Sequence, residues 1–276
     1  LSNDISTPSR LLLGLLGRVA PGCAARQMAK RISDPGGRNP PQSWESGPGP
    51  AGREVELLPG LYAWCWGESG PAVLAVHGWR GRPRQFLPLA GALLGHGYRT
   101  VALDLPGHGR SAGRYTPQTL GRLIAEVANL LGPVQGVVGH SYGGAVLGPA
   151  LLQGLVTPRI VLVASPAHMS RVPLARARDL APPPRVLAAF ARILDEQAGR
   201  PAQELDLIAV APACALPGLI VHDQDDEVVP FAESQELAAL WPQARLIATR
   251  GLGHRDVLAD PAVIAAVAGF IAGSGP

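Results

Sequence analysis

The chain has 276 residues, 47% hydrophobic and 16% charged, which excludes a disordered polypeptide and is enough for one large domain with its own core. A net charge of +3, from 24 basic and 21 acidic residues, is too balanced to make nucleic acid or an anionic membrane surface the default partner. Lys30 is the single lysine and follows no glycine-rich loop, which speaks against a Walker-type phosphate site and against Schiff-base chemistry.

Residues 1 to about 50 read as an N-terminal arm. Leu11 to Ile32 predicts a helix. Its apolar run Leu11 to Leu16 is cut by Arg18 and falls short of the roughly 20 residues that span a bilayer, so packing on the body or contact with a membrane surface is expected instead of a span. The stretches Asp34-Pro35-Gly36-Gly37-Arg38-Asn39-Pro40-Pro41 and Ser46-Gly47-Pro48-Gly49-Pro50 are too rich in glycine and proline to hold regular structure.

A second region, 51–276, is regular. Arg53 to Leu58 and Tyr62 to Trp66 predict strands of a hairpin around Pro59-Gly60, with Trp64 and Trp66 as a packing pair on one face. Ala72 to Val76 is apolar throughout, as a buried parallel strand is. A helix is predicted from Pro83 to about Leu94, a strand over Thr100 to Leu105, and a helix over Thr116 to Leu131, where Leu120, Leu123, Ile124, Val127, Leu130 and Leu131 repeat at helical spacing. Next come strand Gly136 to Gly139, helix Gly143 to Leu152 and strand Ile160 to Ala164. After an insertion between Pro166 and Pro217 follow strand Leu219 to His222, helix Phe231 to Leu240, strand Arg245 to Ala248 and helix Pro261 to Ile271. This alternation predicts an α/β fold: a mostly parallel, doubly wound sheet of about eight strands with helices on both faces. In such sheets the loops at the carboxyl ends of the strands build the site.

The most specific motif is Gly139-His140-Ser141-Tyr142-Gly143, followed by Gly144, between an apolar strand and a helix. A strand turning straight into a helix strains its middle residue and leaves no room for side chains two places either way. Ser141 is thereby held up at a helix N-terminus that favours developing negative charge. Four further segments surround it in order. His77-Gly78-Trp79-Arg80-Gly81 follows one strand, Asp104-Leu105-Pro106-Gly107-His108-Gly109-Arg110-Ser111 follows the next, and Asp226-Glu227-Val228-Val229-Pro230 and Gly251-Leu252-Gly253-His254 follow the last two.

On these segments the chain resembles the α/β-hydrolase superfamily from about Arg53 to the C-terminus, as a serine esterase or lipase-like member. The resemblance implies Ser141 as nucleophile, His254 as base, Asp226 as the acid that orients it, and the backbone N–H groups of Trp79 and Tyr142 as an oxyanion hole. The glycine that usually stands three before the acid is Asp223 here, and Asp225 stays open as the alternative acid. No cofactor is implied. No metal is expected either, since the histidines lack metal-ligand spacing. Cys23, Cys65 and Cys214 are expected to be free thiols in a reducing, cytoplasmic setting. His77 and His108 are assigned to structural turns, His140 to the acyl pocket or to packing, and His96, His168 and His222 to surface or core.

The insertion 166–217 stands where the family carries its lid. Arg185 to Gln197 is amphipathic, with Val186, Leu187, Phe190, Ile193 and Leu194 on one face, which can turn toward an acyl group or pack permanently on the body. The expected activity is hydrolysis of a small-molecule carboxylic ester of small or medium acyl chain through an acyl-enzyme. Thioester, lactone, amide or peptide and carbon–carbon hydrolysis, or cofactor-free peroxidation, use the same scaffold, and a slowly turning-over ligand receptor is the alternative of another class. Serine at 141 argues against the dehalogenase and epoxide hydrolase branches, whose nucleophile there is aspartate.

Overall fold

Burial dictates the centre of the sheet. Every residue of β3 (Ala72–Val76) is buried, as are those of β6 (Ile160–Val163) and β7 (Gly218–Asp223), so these strands are covered on both faces. The structure, a computed structural model, describes residues 16–273. Among these, β1 (Gly52–Leu58), β2 (Leu61–Trp66), β3, β4 (Arg99–Leu103), β5 (Val134–His140), β6, β7 and β8 (Ala244–Thr249) form one sheet in the order β1-β2-β4-β3-β5-β6-β7-β8. Only β1 with β2 and β2 with β4 pair antiparallel. The hairpin closes at Leu58 and Leu61, with Gly60 at φ 74° supplying the left-handed turn residue.

Helices cover both faces. One core gathers Leu74, Val76, Leu103 and Ile160 under α3 (Pro117–Leu130) and α5 (Leu147–Leu152). The other gathers Val73, Ala75, Val138 and Val221 under α2 (Leu87–Gly95) and α11 (Pro261–Ala272). Two predicted helices are subdivided. Pro83–Phe86 is a 3-10 turn before α2, and the helix after Ser141 breaks into α4 (Tyr142–Ala145) and α5 at Val146. Pro149, which has no N–H to give, accounts for the second break.

The N-terminal helix differs from its sequence outline for the same reason. Residues Leu11 to Leu15 lie outside the described residues. Ala20, held out of the helical region before Pro21, separates the preceding turn from α1 (Pro21–Ile32). Ala24, Ala25, Met28 and Ala29 of α1 are buried against Ala177, Val186, Ala189 and Phe190 of the insertion, a third core separate from the sheet. The insertion contains α6 (Arg171–Asp179), α7 (Pro184–Ala198) and the short α8 (Leu207–Val210), and α9 (Phe231–Leu240) follows β7. The apolar face of α7 therefore turns mainly onto α1. Phe190, one candidate for the acyl wall, is instead 1% exposed in that packing, and Leu194 lines the central cavity. No helix among the described residues is long and apolar enough to cross a membrane.

Candidate active site

The turn at Ser141 is built from contacts that exclude side chains. A Cβ on Gly139 would lie 2.3 Å from Gly144 Cα, one on Gly143 2.1 Å from the Val76 carbonyl, and one on Gly144 2.0 Å from Ser165 Oγ. With its neighbours so tightly placed, Ser141 adopts φ 54°, ψ −127°, a conformation that L-residues pay strain to hold. Its side chain stands between β5 and α4.

The structure brings Ser141, His254 and Asp226 into one hydrogen-bonded line. His254 Nε2 lies 3.0 Å from Ser141 Oγ, and His254 Nδ1 lies 2.8 Å from Asp226 Oδ2. His254 belongs to the short α10 (Gly253–Asp256) after β8, and Asp226 follows β7. Because Nδ1 faces a carboxylate, the hydrogen resides there and Nε2 can accept from the serine hydroxyl. The Asp226 side chain is fully buried. Burial by itself would raise its pKa, but hydrogen bonds from His222 and His254, the charge of His254 and the Val229 N–H together hold the carboxyl well below the usual range. Asp225 does not reach His254; its Oδ2 accepts from the Gly251 N–H at 2.9 Å. Asp223 accepts from Asp225 N–H, Thr249 Oγ1 and Leu252 N–H, tying the Asp226 loop to the His254 loop.

Opposite the serine lies the loop after β3. A Cβ on Gly78 would come within 2.8 Å of Ser141 Cβ, so this loop abuts the serine directly. The Trp79 backbone N–H finds no acceptor among the described residues. Tyr142 opens α4, where a helix N–H has no intrahelical acceptor. The rings of Trp79 and Tyr142 meet edge to face at 5.9 Å. Arg80 holds φ 59° and donates its backbone N–H to His108 Nε2 at 3.0 Å, while His77 Nε2 accepts from the Leu105 N–H at 3.1 Å. The two turn histidines thus join the Trp79 loop to the loop after β4.

A cavity of about 1080 Å³ runs from this site under the insertion, reaching Trp79, Ser141, Tyr142 and His254 on the body and Met169, Arg176 and Leu194 on the insertion. It can admit a ligand with one end at Ser141 and the remainder under α6 and α7.

With this geometry the sequence agrees: the alpha/beta hydrolase family model matches residues 73–267. The chain belongs to this family. The chain is 31% identical over 229 residues to a pimeloyl-[acyl-carrier protein] methyl ester esterase of Xanthomonas axonopodis pv. citri, covering 68% of the present chain and 90% of the relative. An esterase of Mycobacterium tuberculosis is 33% identical over 142 residues, 48% of this chain and 46% of that protein. Among solved structures, the esterase EaEST of Exiguobacterium antarcticum superposes with a TM-score of 0.60 at 19% identity, over 80% of this chain and 99% of that one, a likeness of fold.

Sequence reasoning overlooked two groups of residues around the hydrolase site. His222, assigned to surface or core, is fully buried and faces Asp226. Its Nε2 lies 3.2 Å from Asp226 Oδ2 and 3.0 Å from the Val229 carbonyl, and both are acceptors, so this nitrogen carries a hydrogen. Its Nδ1 meets Ser234 Oγ. The available signal was its place at the end of β7, four residues before the acid. His140, expected at the acyl pocket or in packing, lines the cavity, and burial, reinforced by the nearby His254, pushes its pKa down to about 3. Uncharged, it reaches the His254 carbonyl through Nε2 at 2.9 Å. The second group is the arm. Arg38 pairs with Asp104, Asn39 N–H donates to the Arg80 carbonyl at 2.8 Å, and Asn39 Nδ2 reaches the Trp79 carbonyl at 3.4 Å. No local pattern marks a glycine- and proline-rich stretch as the brace of a loop some forty residues away.

Proposed function

We propose that this protein is a serine hydrolase that cleaves a carboxylic ester of small or medium acyl chain through an acyl-enzyme. The observation that carries the reading is the line Ser141–His254–Asp226 at 3.0 and 2.8 Å, set against two backbone N–H groups that lack protein acceptors. His254 Nε2 takes the proton of Ser141 Oγ as that oxygen attacks the ester carbonyl. Asp226 stabilises the imidazolium and holds its tautomer. The Trp79 and Tyr142 N–H groups receive the oxyanion, each donor contributing on the order of 10²–10³ in turnover. The tetrahedral adduct collapses as His254 Nε2 returns the proton to the departing alkoxide oxygen. Water, deprotonated by the same nitrogen, then attacks the acyl-enzyme and frees the carboxylic acid and Ser141.

Ester as the substrate class is supported by the relatives named as esterases, and an extended acyl or alcohol portion by a cavity of about 1080 Å³. The segment 166–217 would set substrate choice, since it roofs the cavity without supplying any member of the hydrogen-bonded line. A fluorophosphonate probe should label the wild type at Ser141 and spare Ser141→Ala, and a panel of p-nitrophenyl esters and thioesters should show Ser141-dependent turnover with esters favoured. Labelling of both proteins, or of neither, rejects Ser141 as nucleophile. Labelling without multiple turnover would identify a receptor built on this fold.

A further inference from the structure

Arg176 is an arginine placed where arginine is hard to keep. It projects from α6 into the cavity that holds Ser141, and its guanidinium carbon lies 5.5 Å from the centre of the Trp79 ring. It forms no hydrogen bond and no ion pair among the described residues. Five acids line the same cavity, Asp179, Asp225, Glu227, Glu233 and Asp256, and none of them forms a hydrogen bond or ion pair with Arg176 among the described residues. Glu233 accepts from the Ala167 and His168 N–H groups, Asp206 accepts from Ser170, and Asp225 accepts from Gly251. Burial lowers the pKa of Arg176 below that of an ordinary guanidinium, Tyr142 opposes this, and the second cation, Arg80, adds to it. Tyr115, whose ring centre lies 6.2 Å from that of Tyr142, also lines the cavity, and its hydroxyl is buried and unpartnered too. A guanidinium has five N–H donors in a planar fork, and an aromatic face satisfies none of them. A buried guanidinium with a second cation near it and no acid paired to it, on a cavity that also holds an unpartnered buried hydroxyl, is half of an ion pair.

We infer that Arg176 receives an oxyanion of the substrate, a carboxylate or phosphoryl group carried a few atoms from the scissile carbonyl. The site accepts an anionic ester because the guanidinium fork matches two oxygens of such a group, and Trp79 fixes the plane of the fork. This rests on the ester-hydrolase reading and narrows it: the favoured substrates are half-esters of diacids or esters bearing a phosphoryl group. Arg176 chooses the substrate and takes no part in bond making.

The test uses three esters alike in length: p-nitrophenyl valerate, p-nitrophenyl hydrogen glutarate, and p-nitrophenyl 4-phosphonobutyrate. Their kcat/KM values are compared in wild type, Arg176→Gln and Arg176→Lys. The ratio of the better anionic ester to valerate should fall fivefold or more in Arg176→Gln and be partly restored in Arg176→Lys. The leading anion in wild type separates carboxylate from phosphoryl recognition. A smaller fall overturns the proposal and leaves Arg176 as a brace that holds α6 on Trp79. So does a wild type that prefers valerate tenfold over both anions, a result that needs no variant to fold. Should no ester be turned over, the hydrolase reading fails by itself. The anion site is then read by calorimetric titration of monomethyl glutarate and methyl valerate onto Ser141→Ala and Ser141→Ala/Arg176→Gln. At least fivefold weaker glutarate binding in the double variant supports the site, and a smaller change overturns it.

Discussion

At the carboxyl ends of β5, β7 and β8, Ser141, Asp226 and His254 are held by close steric contacts and hydrogen bonds. Ser141 is wedged by three glycines, Asp226 Oδ1 accepts from the Val228 and Val229 N–H groups, and His254 is tied through its carbonyl to His140. Across the cavity, α6 and α7 hold their residues by apolar contact with α1 and by a few polar links such as Ser170 to Asp206. One wall is a fixed instrument; the other is a packed panel whose residues can be exchanged without moving the first. The difference teaches where chemistry and choice are separable: substitutions in the strand-end loops should act on turnover, and substitutions in the panel on stability and selectivity.

The sharpest break of this division is Ser141→Ala, expected to lower kcat by ~10⁴–10⁶ with little change in melting temperature. If the roof alone governed activity, the loss would be modest. Next, Asp226→Asn should lower kcat by about 10⁴ while Asp225→Asn stays within about tenfold of wild type, measured as kcat on a p-nitrophenyl ester. Inverted effects would move the orienting role to Asp225.

On the other wall, Phe190→Ala removes a ring packed between α1 and α7 and should destabilise that unit by about 3–5 kcal/mol. Hydrogen exchange would detect it as faster exchange in α1 and α7, with β3 and β5 still protected. Uniform loss of protection would mean that the panel and the sheet unfold as one.

Acid should act on the body before the panel. Burial is the main reason that His140 and His108 are pushed down to about 3 and about 4, so both are neutral when folded at pH 5. The unfolded chain binds protons at these positions near pH 6.5, and stability therefore falls as pH drops below that value, by up to ~1.4 kcal/mol per unit and per histidine. Asp226 works in a lower window. Its depressed carboxyl stabilises the fold above the ordinary carboxylate range and loses that contribution as pH falls through and below it. Urea titrations at pH 7, 6 and 5 should show the first decline, and His140→Asn should flatten it. The smallest effect is reserved for Leu194→Ala, which should shift the preferred acyl length by roughly tenfold in kcat/KM where Phe190→Ala leaves the preference alone.

Much of the body was legible because its signals are local. Ala72 to Val76 can only be a strand buried on both faces, and the glycines around Ser141 state their steric reason in their spacing. The panel was legible as helix but not in its orientation. An amphipathic stripe such as Val186, Phe190 and Ile193 says that a face is covered, not by what, and α1, which covers it, lies some 160 residues earlier. Arg38, Asn39 and His222 escaped for a related reason: each matters through a partner distant in the chain or, for His222, through a strand end that any buried histidine could occupy. The Asp223 departure from the expected glycine was visible, and its purpose emerged only when β7 and β8 were side by side.

The contact between Gly78 and Ser141 has a bearing on inhibitor chemistry. With 2.8 Å between a notional Cβ at 78 and the serine Cβ, there is no clearance on the Gly78 side of Ser141. An electrophilic warhead must arrive from the cavity face with its bulk directed under α6 and α7. Selective covalent ligands for this protein are therefore to be elaborated on that side alone, where their reach is limited by the panel and not by the serine.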